Sequence, residues 1–161
     1  MSVAFELSIP SHWDELDSVR AKTENFLLQQ KLSKDQVYAM VMTTSELTEN
    51  AIKYGDSQGE NVQVHISLSV YPKEIIIEVK NKIKDIHDSD LRKLDENIQW
   101  IRGFQSHYEA YLEKIKLISG KSLEDGESGL GLVRIAYEGQ CILDFYINED
   151  DVLAMSAVYK L

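Results

Sequence analysis

Asn61-Val62-Gln63-Val64-His65-Ile66-Ser67-Leu68-Ser69-Val70, followed by Tyr71-Pro72 and then Lys73-Glu74-Ile75-Ile76-Ile77-Glu78-Val79-Lys80, reads as two β-strands joined by a tight turn. In the first run Val62, Val64, Ile66, Leu68 and Val70 fall on one face at a period of two, the mark of a half-buried strand. The second is β-branched at Ile75, Ile76 and Ile77, and Pro72 in the connection favours a hairpin. A hairpin at the centre of the chain fixes an antiparallel pair, so the sheet is expected to be mostly antiparallel.

Working outward from the hairpin, Phe5, Leu7 and Ile9 alternate with Ala4, Glu6 and Ser8 in another half-buried strand, stopped by Pro10. Ser11 then reads as an N-cap, with Asp14 and Glu15 in the first turn of a helix reaching about Gln30. Ser33 reads as a second N-cap, opening a helix to about Tyr54 that ends at Gly55. Beyond the hairpin the helical period returns at Leu91, Leu94, Ile98, Ile101, Phe104, Tyr108, Tyr111, Leu112 and Ile115. Gly103 is placed to divide that stretch in two. The aromatic stripe Phe104, Tyr108 and Tyr111 is expected in the core, and any exposed half of it as a partner surface. A loop over 120–129, a short helix over 130–138 and two strands near 141–147 and 152–159 complete the chain. Paired strands with helices grouped between them predict an α+β fold. The expected form is a two-layer α/β sandwich, a mostly antiparallel sheet covered by helices on one face, in a single domain over 1–161.

Composition narrows the function classes. A chain of 161 residues, 43% hydrophobic and 27% charged, has the makeup of a folded globular protein. Its net charge of −10 disfavours a nucleic-acid backbone or an anionic membrane surface as partner. No apolar run approaches the roughly 20 residues that span a bilayer, and the N-terminus lacks the pattern of a signal peptide. Cys141 is the sole cysteine and sits in an apolar stretch, so it reads as a buried structural thiol in a cytoplasmic protein. His12, His65, His87 and His107 are scattered without ligand spacing, which argues against zinc. Nothing around His107 resembles a phosphotransfer helix hairpin.

Two stretches could carry chemistry. On the second long helix, with steps of about 100° per residue, Val37, Met40, Leu47, Ala51 and Ile52 form the core face. Glu46, Asn50 and Lys53 share a narrow arc opposite, with Ala39 and Thr43 beside it. A carboxylate there suits a general base, and a carboxamide offers a hard oxygen to Mg²⁺. An ordinary solvated helix face has the same pattern. The second stretch is Asp125-Gly126-Glu127-Ser128-Gly129-Leu130-Gly131-Leu132, immediately before a helix. Its glycines allow close backbone approach to a ligand, and free N–H groups at a helix start favour phosphate. A flexible helix entry reads the same.

Taken together, Ser45-Glu46-Leu47-Thr48-Glu49-Asn50-Ala51-Ile52-Lys53-Tyr54-Gly55 and Ser128-Gly129-Leu130-Gly131-Leu132 resemble the motifs of the GHKL ATPase superfamily. The small stand-alone anti-sigma-factor serine kinases of bacterial partner-switching systems are the nearest match, over nearly the whole chain. The resemblance implies ATP and Mg²⁺ as cofactors and transfer of the γ-phosphate to a Ser or Thr of a small antagonist protein. Glu46 looks like the general base and Asn50 like the Mg²⁺–phosphate ligand, with Lys53 and Tyr54 just beyond, Tyr54 where relatives often carry His. Gly126, Ser128, Gly129, Leu130 and Gly131 look like the phosphate-covering segment. Residues 88–118 form a helical insert where many relatives have a shorter lid.

Departures from the pattern are specific. Asn81 stands where the family has an adenine-binding Asp, and Ile83 and Asp85 stand where it has glycines. Asp150-Asp151-Val152 replaces the Gly-Thr pair common before the last strand. An amide lacks the charge that strengthens the bond to the adenine amino group, and side chains in place of glycine could narrow the base pocket. The resemblance and its departures leave three readings. One is a Mg-ATP-dependent kinase of the anti-sigma type, with a sigma factor or small antagonist as partner. The second is a degenerate module that sequesters a protein partner without nucleotide, and the third is an unrelated α+β protein. Small members of the family pair through sheet edges or helices, which is compatible with a homodimer.

Overall fold

A computed structural model of the chain describes residues 1–55, 61–83, 88–120 and 130–161. Five strands, β1 (Val3–Pro10), β2 (Gln63–Val70), β3 (Glu74–Lys82), β4 (Cys141–Ile147) and β5 (Val152–Lys160), form one sheet of order β1-β2-β3-β5-β4. Every neighbouring pair is antiparallel. Helices α1 (Leu16–Leu28), α2 (Lys34–Tyr54), α3 (Asp88–Arg102), α4 (His107–Ser119) and α5 (Leu130–Tyr137) complete the α+β sandwich that the alternation predicts. The hairpin closes where Tyr71 N donates to Glu74 O at 2.8 Å.

Register explains why one face is apolar. Phe5, Leu68, Ile77, Ala157 and Leu143 lie side by side across all five strands, and Leu7, Ile66, Val79, Met155 and Phe145 form the next row. The third row is Ile9, Val64, Asn81, Leu153 and Ile147, in which Asn81 is the one polar member. Opposite-facing residues on the same strands, such as Glu6, Ser67, Glu78, Ser156 and Asp144, make up the polar side.

Ser33 caps α2 as its sequence suggests: its hydroxyl accepts from Gln36 N at 3.2 Å, and Gln36 Oε1 accepts from Ser33 N at 2.8 Å. This reciprocal box satisfies two backbone donors at once. Ser11 does not cap α1. The helix is entered through a 3₁₀ turn over Trp13–Glu15, where His12 Nδ1 accepts from Asp14 N at 3.3 Å. Ser11 N is instead held by Val62 O at 3.0 Å, which continues the β1–β2 ladder one residue past Pro10. Gly103 divides α3 from α4, and Ser106 restarts the helix by accepting from Glu109 N at 3.2 Å.

Helix α5 and strand β4 meet at Gly139. A Cβ there would lie 2.5 Å from both Ile135 O and Thr43 Oγ1, closer than side-chain atoms pack. Cys141, buried beside it, donates its thiol to Gly139 O at 3.2 Å, and burial pushes its pKa up to about 12. The expected structural thiol is what the fold contains. Gly139→Ala should therefore destabilise the protein by about 1–3 kcal/mol, read as a lower midpoint in urea unfolding. An unchanged midpoint would show that the α2–α5 seam relaxes freely.

Candidate functional site

Helix α2 carries the ridge of Glu46, Asn50 and Lys53, and its surroundings decide what that ridge is. No residue from Ala39 to Ile52 is exposed. The sheet lies under Met40, Leu47 and Ala51, α1 lies along one flank, and α5 along the other. A solvated helix face is therefore not what the ridge forms: Thr43 is fully buried and Glu46 and Asn50 are half-buried, while Lys53 reaches solvent. Lys53 Nζ stands 5.3 Å from the centre of the Tyr54 ring.

Glu46 is fixed from two sides. Its Oε1 accepts from Arg134 Nη1 at 2.6 Å, a charge-assisted bond. Its Oε2 lies so near the first turn of α5 that a Cβ on Gly131 would approach it to 2.5 Å. Glycine leaves room for the carboxylate at that point, and a larger residue would push the Glu46 side chain aside. The start of α5 carries the positive end of the helix dipole, which also favours a carboxylate. Arg134 in turn donates through Nε and Nη2 to Glu138 Oε2 at 3.3 and 3.2 Å. On the opposite flank Arg20 donates to Ser45 Oγ at 2.9 Å, Glu49 Oε1 at 3.1 Å and Asp17 Oδ1 at 3.1 Å.

The electrostatic result is a carboxyl with a raised pKa. Burial is the largest cause and the negative charge of Glu49 the next, partly offset by Arg134 and Arg20. A carboxylate held in that way is a stronger base than one on an open helix surface.

Asn81 lies at the far end of α2. Its Nδ2 donates to Ala51 O at 3.1 Å, and the residue is 2% exposed. The amide thus gives Ala51 O a second donor besides Gly55 N, which lies at 2.9 Å, while sitting in an otherwise apolar row of the sheet. Ile83 is buried beyond it, with its N donating to Asp151 O at 2.9 Å. Of the residues singled out in the sequence, the structure brings Glu46 and Gly131 into contact and places Asn50 one turn along from Glu46. Leu130 opens α5 half-buried. Gly126, Ser128, Gly129 and Asp85 lie outside the described residues.

Arg134 and Arg20 were not singled out by sequence reasoning. Each left a local trace, Arg134 four residues before Glu138 and Arg20 three after Asp17, spacings that suit ion pairs on a helix. Neither trace points to α2. Among the described residues no helix is long and apolar enough to cross a membrane.

No protein-family model matches the chain, and no curated protein matches its sequence. Among solved structures, the fold is similar to that of a chain in the crystal structure of the SiaB–SiaC complex from Pseudomonas aeruginosa. The TM-score is 0.72 at 17% sequence identity, covering 96% of this chain and 88% of that chain. The likeness establishes a shared fold over almost the whole of both.

Because the folded state binds the Glu46 proton more tightly than the unfolded chain, this contribution to stability is full below the ordinary glutamate range. It is lost as pH rises through the raised pKa. Glu46→Gln keeps an acceptor for Arg134 and cannot ionise. Relative to wild type it should gain stability between about pH 4 and about pH 8. Urea unfolding of both proteins at the two pH values reads the difference; a difference that stays constant, or grows the other way, would refute the raised pKa.

Proposed function

We propose that this chain is a bacterial regulatory protein of the partner-switching type, one GHKL-like domain that binds a protein partner and Mg-ATP. The observation that carries the reading is the contact of Glu46 with Gly131. A candidate base and a glycine-bearing helix start, far apart in sequence, meet at one point with an arginine beside them. The fold shared with a chain of the SiaB–SiaC complex, a two-protein assembly, supports a partner-binding role.

The phosphate end of a nucleotide would meet Asn50, Arg134 and the first turn of α5. Asn50 would offer its amide oxygen to Mg²⁺, and because Glu46 Oε2 fills the space beside Gly131, phosphate oxygens would reach the first turn of α5 only once that carboxylate moves aside. Arg134 supplies a positive charge at the same place. Bound there, Mg-ATP would provide an electrophilic γ-phosphoryl group. Glu46 accepts the proton of a Ser or Thr hydroxyl on the partner, for which it must first loosen its bond to Arg134. Glu138 remains to hold the guanidinium when it does. The partner in this reading is a sigma factor or a small antagonist protein, and the setting is the cytoplasm.

A second reading rests on the other end of the site. The Asn81 amide donates inward to Ala51 O, and Ile83 is buried where close approach of an adenine calls for glycine. Those two residues favour a module that sequesters its partner without nucleotide.

Calorimetric titration with ATP, with and without Mg²⁺, separates the two. Nucleotide at 100 times its dissociation constant should stabilise the protein by about 2.7 kcal/mol. Glu46→Ala should keep binding and lose phosphotransfer to the partner, whereas Asn50→Ala should lose the Mg²⁺-dependent part of the affinity. No binding at millimolar ATP would favour the sequestering module.

A further inference from the structure

The polar side of the sheet, turned away from α2, has one basic corner. His65, Lys80 and Ala154 form a row across β2, β3 and β5 there, Lys82 and Val152 begin the next, and Gln63 shares this face of β2. A depression of about 430 Å³ lies at that corner, lined by Asn61, Gln63, His65, Lys82 and Val152 among others. Its lining among the described residues includes two basic side chains and no acidic one, in a chain of net charge −10. Lys80 is paired with Glu78 at 2.9 Å, whereas Lys82 is exposed and makes no ion pair among the described residues. His65 is held by Ser8 of β1, whose Oγ lies 2.6 Å from its Nδ1. With Nδ1 engaged, Nε2 is the ring nitrogen left for a ligand, and it carries a proton when Ser8 donates. Asn61 enters β2 at a φ of 72°, a conformation Asn adopts readily, and with Gln63 it adds side-chain amide donors.

We propose that this corner is a binding site for a phosphate group, on the opposite side of the sheet from Glu46 and Asn50. The donor side chains of Asn61, Gln63, His65 and Lys82 suit an anion that spreads its charge over three or more oxygens, where a carboxylate offers two. The space is larger than a bare phosphate ion needs and leaves room for the carbon part of a phosphomonoester against Val62 and Val152. A site on this face stands apart from α2 and α5, so it does not depend on whether ATP binds at Glu46.

Titration of the isotope-labelled full chain, followed by amide chemical shifts at constant ionic strength, tests this. Inorganic phosphate and ribose 5-phosphate are the probes, with acetate and sodium chloride as controls. Phosphate should shift the amides of Gln63, His65 and Lys82 saturably, with a dissociation constant of about 1–10 mM. Lys82→Ala should weaken that binding by about tenfold or more and His65→Ala by about threefold, while Lys82→Arg, which keeps the charge, should retain it. Both side chains are exposed, so the variants should stay folded, which far-UV circular dichroism checks. Tighter binding of ribose 5-phosphate would identify a phosphomonoester as the ligand, and tighter binding of inorganic phosphate the free ion; either outcome supports the site. Shifts that acetate or chloride reproduce, or affinity unchanged in Lys82→Ala, would overturn it. So would phosphate that shifts only the amides of α5 around Arg134, or no residue at all.

Discussion

Burial of α2 on three sides is the constraint to which the rest of the molecule is fitted. From Ala39 to Ile52 the helix has no turn in water, so it can carry polar groups only where each finds a partner. Thr44 and Thr48 meet this condition within the helix, donating to Met40 O at 2.8 Å and Thr44 O at 2.7 Å. Their small size also lets neighbouring elements come close. Ser45 and Glu49 meet it through Arg20 on α1, and Glu46 through Arg134 on α5. Each flanking helix therefore brings one arginine, and each arginine has a further acid of its own, Asp17 or Glu138, to orient it.

That arrangement joins stability to the site. An acidic side chain so far removed from water raises its own pKa and needs a cation close by. Arg134 reaches Glu46 because α5 begins close against α2, and the absence of a side chain at position 131 leaves the Glu46 carboxylate its place between them. One glycine thus bears on both packing and electrostatics at this point. At the other end of the helix Asn81 plays a comparable part. An apolar residue would complete its row of the sheet better, but would leave Ala51 O without this donor.

Most of the architecture was legible because its signals are local. The period-two runs of β1 and β2, the Pro72 turn, the Ser33 cap and the break at Gly103 each arise within a few residues. The site was legible in part: Glu46, Asn50 and Gly131 stood out by type and spacing, and the structure brings Glu46 and Gly131 together. Burial of the ridge was not legible, because periodicity identifies the sheet-facing side of α2 and says nothing of helices packed on its flanks. Arg20 and Arg134 escaped for the same reason, since their contacts span sequence separations of 25 to 29 and of 88 residues. Ser11 misled because a hydroxyl beside an acidic turn suits a cap, whereas the ladder to Val62 claimed its backbone first.

Helix α5 is only two turns long and packs on a different element at each end. Its first turn and Arg134 touch Glu46, while Tyr137 in its last turn touches Tyr108 and Tyr111 of α4. The α3–α4 segment is tied to the sheet as well, because Arg102 donates to Leu143 O on β4, an edge strand of the sheet. Such a short helix makes too few backbone bonds to hold its place alone, so its position is set by what grips each end.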